Sequence, residues 1–137
     1  VLPFLPLLAV VPAAACGDDD GRAATAPDAE TVLVGPSEVR VRLDRAAELA
    51  AVGGSLLVTT ARVLVTRPAA DEYLAFDAAC PHAGSLVANR DGAALACPGH
   101  GSRFDLRGAL LRGPAQQGLT PLALRREDAR TLVVARP

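Results

Sequence analysis

The chain has no tryptophan, one tyrosine and three phenylalanines. It therefore lacks the aromatic platforms on which bases of single-stranded nucleic acid stack. It has no lysine either. All 14 basic residues are arginine, they face 15 acidic ones, and the net charge is −1. No field of one sign is available to hold a polyanion, so nucleic acid is not an expected partner. Rossmann and P-loop glycine patterns are missing, as are internal repeats and any long amphipathic helix. At 137 residues the chain suits one domain with a modest core plus extensions.

Histidine and cysteine are scarce, and their placement is uneven. Both histidines and two of the three cysteines lie in Cys80-Pro81-His82-Ala83-Gly84-Ser85 and in Cys97-Pro98-Gly99-His100-Gly101-Ser102-Arg103-Phe104-Asp105. The first stretch reads C-x-H and the second C-x-x-H. Ala83 to Ala96 separate them, room for a strand, a turn and a strand, so the two loops can lie side by side at one end of a hairpin. Proline cannot join a ladder, and glycine permits φ > 0 and close backbone approach. Such loops leave N–H groups free to face a thiolate or a sulfide. Two thiols and two imidazoles also make a zinc set. Structural zinc more often pairs C-x-x-C with H-x-x-x-H, whereas here each loop is mixed.

This constellation resembles the Rieske [2Fe–2S] family, from roughly Thr31 to Pro137. The family's motif is C-x-H, an insert, then C-x-x-H, and the flanking Gly84 and the Gly101-Ser102 pair also match. The resemblance implies one cluster per chain, with Cys80 and Cys97 on one iron and His82 and His100 on the other. Two thiolates neutralise the formal charge of two ferric ions and two sulfides, whereas four would leave it doubly negative. Mixed ligation therefore takes up an electron more readily. The implied fold is all-β: a small antiparallel sandwich or barrel-like base with an inserted cluster-binding β-subdomain at about 78–115 of a domain spanning 31–137.

Departures from the family pattern narrow the function. Members of the bc type carry a further cysteine after each ligand pair, joined as a disulfide. Ser85 and Gly99 stand at those positions, so that bridge is excluded. Ser102 keeps the position of a hydrogen-bond donor to sulfur, and Phe104 replaces a tyrosine and cannot donate. Gly113-Pro114-Ala115 resembles the proline loop that covers the cluster from a third side. A Rieske oxygenase needs two further histidines for a mononuclear iron, and none is left. The implied role is electron transfer between redox proteins, with no catalytic residue and no substrate chemistry of its own.

Residues 1–15 are uncharged, with three prolines, too short and broken for a transmembrane helix. They suit the apolar part of an export signal. Ala13-Ala14-Ala15-Cys16 resembles a bacterial lipobox, which implies lipidation of Cys16. Residues 17–30, with Asp18-Asp19-Asp20, read as a flexible acidic linker. The expected place is then the extracytoplasmic face of the cell membrane. Two alternatives remain: a soluble Rieske ferredoxin feeding an oxygenase or reductase, and a zinc-binding or metal-free interaction module.

Along the domain, Val39, Val41 and Leu43 alternate with Arg40 and Arg42 as a strand with one wet face. Residues 44–51 are compatible with a short helix that Asp44 could cap. Residues 55–59 and 62–66 flank Thr60-Ala61 as a hairpin. A turn is expected at 68–71, and a strand at 73–76 leading into the first loop. Short strands at 86–88 and 93–96 flank a turn containing Asp91-Gly92. A further hairpin at 103–106 and 109–111 turns about Arg107-Gly108. Strands at 122–125 and 131–135, joined by Glu127-Asp128-Ala129, close the domain.

Overall fold

Alternation in Glu38-Val39-Arg40-Val41-Arg42 sets the first sheet. The computed structural model describes residues 30–81, 85–89, 94–98 and 101–137. In it Val39 and Val41 are fully buried, while the flanking charged residues reach solvent. Their strand, β2 (Glu38–Arg42), pairs with β1 (Val32–Val34) on one side. On the other it pairs with β11 (Thr131–Ala135), which pairs with β10 (Leu124–Asp128). A second sheet holds β3 (Ser55–Val58), β4 (Val63–Ala69) and β5 (Glu72–Asp77). All pairings are antiparallel.

Val39, Val41, Leu132 and Val134 of the first sheet meet Leu56, Val58, Val63 and Val65 of the second. This aliphatic core is the base of the molecule. Val63 to Thr66 are all buried in succession, because β4 is covered on both faces. Val63 and Val65 join the first core and Leu64 a second.

The second core lies under a third sheet, β6 (Ala88–Asn89), β7 (Leu95–Ala96), β8 (Arg103–Phe104) and β9 (Leu110–Arg112), in that order. It gathers Leu64, Phe76, Val87, Leu95, Phe104, Leu119, Cys80 and Cys97. The turn between β8 and β9 falls at Arg107-Gly108, as expected. The Asp105 carboxylate accepts the N–H groups of Arg107 and Ala109, both at 2.9 Å. Gly108 has φ +82°, and a Cβ there would lie 2.5 Å from the Phe76 ring. The Asp91-Gly92 turn lies outside the described residues.

Four local expectations are corrected. Asp44 caps no helix: it pairs with Arg42 at 2.9 Å, and residues Ala47–Leu49 form a short 3₁₀ turn capped by no side chain. Arg62 is not a strand residue but the left-handed residue, φ 56°, that ends a second 3₁₀ turn at Thr59–Ala61. The strand β4 runs through Pro68, where the register with β5 shifts between Thr66 and Ala69, and such irregularities are where a sheet tolerates proline. The last hairpin turns at Ala129-Arg130, because the charged run 125–128 continues β10 along a sheet edge.

Candidate metal centre

The second sheet delivers the first loop. As β5 ends, the Asp77 carboxylate takes the Ala79 N–H at 3.0 Å and the Arg62 guanidinium at 3.1 Å. The Arg62 carbonyl accepts the Ala78 N–H at 2.8 Å. Three closures then stack: Val87 N–H to Ala78 O at 2.8 Å, a bridge between Ala79 and Leu86, and Cys80 N–H to Ser85 O at 2.7 Å. Cys80 stands at the base of this loop and is 2% exposed.

The connection between β7 and β8 is the second loop, and it closes the same way. Cys97 N–H donates to Ser102 O at 2.9 Å, and Gly101, at φ +81°, donates to Cys97 O at 3.2 Å. Cys97 is also 2% exposed. In each loop a cysteine N–H thus binds the carbonyl of a serine five residues on. The sequence carries that likeness, Cys-Pro followed by Gly-Ser at equal spacing in 80–85 and 97–102. Ser85 and Ser102 therefore share a backbone role that spacing of ligand types alone does not reveal.

A third segment locks onto the second loop. The Ala115 N–H donates to the Ser102 hydroxyl oxygen at 3.0 Å, and the Gly113–Pro114 bond before it is cis. Ser102 is fully buried. Its oxygen is used as an acceptor here, so its own proton is left to donate. Pro114 itself is exposed. Phe104 is fully buried in the core cluster that holds both cysteines, opposite Leu95 on one side and Leu110 on the other.

The structure thus brings Cys80, Cys97, Ser85, Gly101, Ser102, Phe104 and Pro114 to one end of the third sheet. His82, Gly84, Gly99, His100 and Cys16 lie outside the described residues. Neither described cysteine is in a disulfide. Two buried thiols outside any disulfide, in one apolar cluster with a buried hydroxyl that has a proton to give, suit a sulfide-bridged metal cluster that needs thiolates in a dry site. The fit of the residues present is good.

A family model of the Rieske [2Fe-2S] domain matches residues 32–123. The chain belongs to the Rieske family. Like other Rieske domains it carries a single [2Fe–2S] cluster and works as an electron carrier among redox partners. One similar structure is the cyanobacterial plasma membrane Rieske protein PetC3 from Synechocystis PCC 6803, 25% identical, with a TM-score of 0.50 over 59% of this chain and 83% of that one. Another is the ferredoxin of carbazole 1,9a-dioxygenase from Nocardioides aromaticivorans IC177, 26% identical, with a TM-score of 0.50 over 71% of this chain and 94% of that one. No curated protein sequence matches the chain. The all-β architecture expected from the sequence is the one this Rieske chain has.

Asp77 and Arg62 were not singled out by sequence, and Ala115 only as part of the proline loop, without its bond to Ser102. The signal for Asp77 was present: an Asp two residues before an N–H it can cap is a turn motif. Asp77→Ala is expected to lower stability by about 1–2 kcal/mol, while Asp77→Asn, which keeps the oxygen facing Ala79, recovers most of it. Urea unfolding of the two variants measures this; equal losses would show that the Arg62 pairing matters more than the cap.

Proposed function

We propose that this protein is a membrane-tethered electron carrier outside the cytoplasm, a donor or acceptor subunit of an oxidoreductase system. In this reading Cys80 and Cys97 hold one iron, and His82 and His100 hold the other. The observation that carries it is the pair of matched loops, each closed from cysteine N–H to serine carbonyl, that bury two thiols outside any disulfide in one core. The cluster, when bound, supplies one reversible electron. The rest is the work of the chain: the loops fix the thiols, and the apolar wall keeps water away. Residues 31–137 form the Rieske domain, with the cluster-binding part at about 78–115, behind an export signal (1–15) and a tether (16–30).

Ser102 tunes the site. Reduction adds negative charge, and a donor aimed at it stabilises the reduced form more than the oxidised one. A hydrogen bond to a charged group is worth roughly 1.5–3 kcal/mol. The difference between oxidation states is about 1–2 kcal/mol, on the order of 40–90 mV for one electron. Ser102→Ala is expected to lower the midpoint by about that amount in a redox titration. An unchanged or raised midpoint would mean that the hydroxyl serves only the Ala115 N–H.

The tether is tested at Cys16. Its support is the uncharged leader, the Ala13-Ala14-Ala15-Cys16 sequence and the acidic spacer after it. Cys16→Ser is expected to shift the protein from the membrane to the soluble fraction or to block its maturation. An unmodified Cys16 in the mature protein by mass spectrometry would end this reading. One acyl chain anchors only marginally, so a diacyl group or a partner subunit is required. The second reading, a soluble ferredoxin, is favoured by the extent to which the oxygenase ferredoxin is covered. It predicts that the wild-type protein fractionates with the cytosol.

A further inference from the structure

Arg62 adopts a backbone conformation that its side chain opposes. It has φ 56° and ψ 38°, and among the described residues it is the only one other than glycine with a positive φ. In this left-handed region a Cβ crowds the following carbonyl. Glycine is the residue that usually ends a turn in this way, and at this position it would be unstrained. A residue held against its backbone preference points to a use for the side chain that offsets the strain.

The surroundings of Arg62 show that use. Val63 and Asp77 are partners at one end of the β4–β5 ladder. Arg62, one residue earlier, extends that ladder: its carbonyl accepts the Ala78 N–H at 2.8 Å. Its Nη2 donates to Asp77 Oδ2 at 3.1 Å, and Asp77 Oδ1 accepts the Ala79 N–H at 3.0 Å. The Asp77 N–H donates to Thr120 O at 2.8 Å. Asp77, Ala78 and Ala79 are thus tied one after another, and Arg62 contributes both a backbone and a side-chain group to the ties. Cys80 comes next, 2% exposed, with its N–H on Ser85 O. Where this segment leaves the sheet therefore decides where the Cys80 thiol lies. The second loop is fastened by the Ser102 hydroxyl to Ala115, and the first is fastened at its root by Arg62.

We propose that Arg62 is a positioning residue for the cluster: from a strained turn outside the ligand motif, it fixes the root of the first ligand loop and with it Cys80. The ion pair adds little to global stability, because the Arg62 and Asp77 side chains are 54% and 19% exposed and exposed pairs contribute weakly. Its effect is local. Partners that orient a metal ligand act on metal retention far more than on the fold. The inference rests on the reading of Cys80 as an iron ligand, and its test keeps the two apart.

The full chain, loaded with its cluster, is compared as wild type, Arg62→Gly, Arg62→Lys and Arg45→Ala. Arg62→Gly keeps the carbonyl, relieves the backbone and removes the guanidinium. The relief of strain and the loss of an exposed pair oppose each other, so the urea midpoint stays at or above the wild-type value. The loop loosens nonetheless. Iron release to a chelator without denaturant becomes about tenfold faster, the size expected when a partner that orients a ligand is lost. Amide exchange, read by mass spectrometry, rises in peptides that contain Ala78, Ala79 and Val87 and stays at the wild-type level in β2 and β11. Arg62→Lys keeps a cation beside Asp77, where the contact is a single bond, and recovers most of the iron retention while keeping the strain. Iron retention and stability thus rank the Gly and Lys variants in opposite orders, which a residue that serves only the fold would not do. Arg45→Ala breaks the exposed pair with Glu30 and changes neither iron release nor exchange in the loop. The proposal is overturned if Arg62→Gly keeps both at the wild-type level, or if both rise only in step with a lowered urea midpoint. A wild type that holds no iron, or zinc in its place, sinks the carrier reading instead. Exchange at Ala78, Ala79 and Val87 in that same chain then decides whether Arg62 fixes the loop.

Discussion

Cys80→Ala, His82→Ala, Cys97→Ala and His100→Ala are each expected to abolish the cluster and its rhombic, low average-g EPR signal in the reduced protein. The structure adds a reason why the loss should be clean. Cys80 and Cys97 sit in an apolar cluster, 2% exposed, and a buried thiol packs as a small hydrophobe. Alanine in its place keeps the apolar surface and gives up only a sulfur's volume. The backbone closures to Ser85 and Ser102 use the cysteine N–H, not the side chain, and survive the change. The variants should therefore be folded by circular dichroism and empty of iron. Two irons and an intact spectrum in any of the four would end the ligand assignment. Zinc in place of iron in the wild type, with no visible absorption, would move the site to the structural class that the same donor set permits.

Much of this molecule could be read from residue pattern, and the reasons for the exceptions are physical. The alternation of Val39 and Val41 with arginines named β2, since one of its faces is buried and the other wet. The succession Val63-Leu64-Val65 signalled a strand but not that β4 separates two cores. β1 is short and has Leu33 and Val34 turned outward at a sheet edge, so its pattern carried no strand signal. Conversely, the charged run of β10 has no buried face to betray it; backbone pairing with β11 decides it. At the site, the candidate ligands stood out because cysteine and histidine are rare and chemically committed. The scaffold around them was not. The Arg62–Asp77–Ala79 strap and the Ala115–Ser102 bond join residues of ordinary type, 15 and 13 positions apart in the chain for the longest links, and only folding reveals them.

The core that walls the site is also a core that holds the fold, and Phe104 tests whether the two functions are linked. It is fully buried between Leu95 and Leu110, in the same cluster as both cysteines and Phe76. Phe104→Ala is expected to cost about 3–5 kcal/mol through lost burial and the cavity left behind. A domain of this size has roughly 5–15 kcal/mol in total, so the cluster-free variant should be close to unfolding. A ligand bound only by the native state adds stability by mass action, so the loaded variant should remain folded while losing iron faster to a chelator. The control is Leu56→Ala, equally buried but in the aliphatic core between the first two sheets. Its expected cost is about 2–5 kcal/mol, with iron loss no faster than global unfolding allows. Urea titration of both variants, followed by chelator challenge at denaturant concentrations chosen to match their stabilities, makes the comparison. Equal iron release would mean that Phe104 supports the fold as any core residue does. Faster release from the Phe104 variant alone would make it part of the wall that keeps water from the two thiolates, a role an aromatic ring without a hydroxyl can fill and a tyrosine at that position would share with hydrogen bonding.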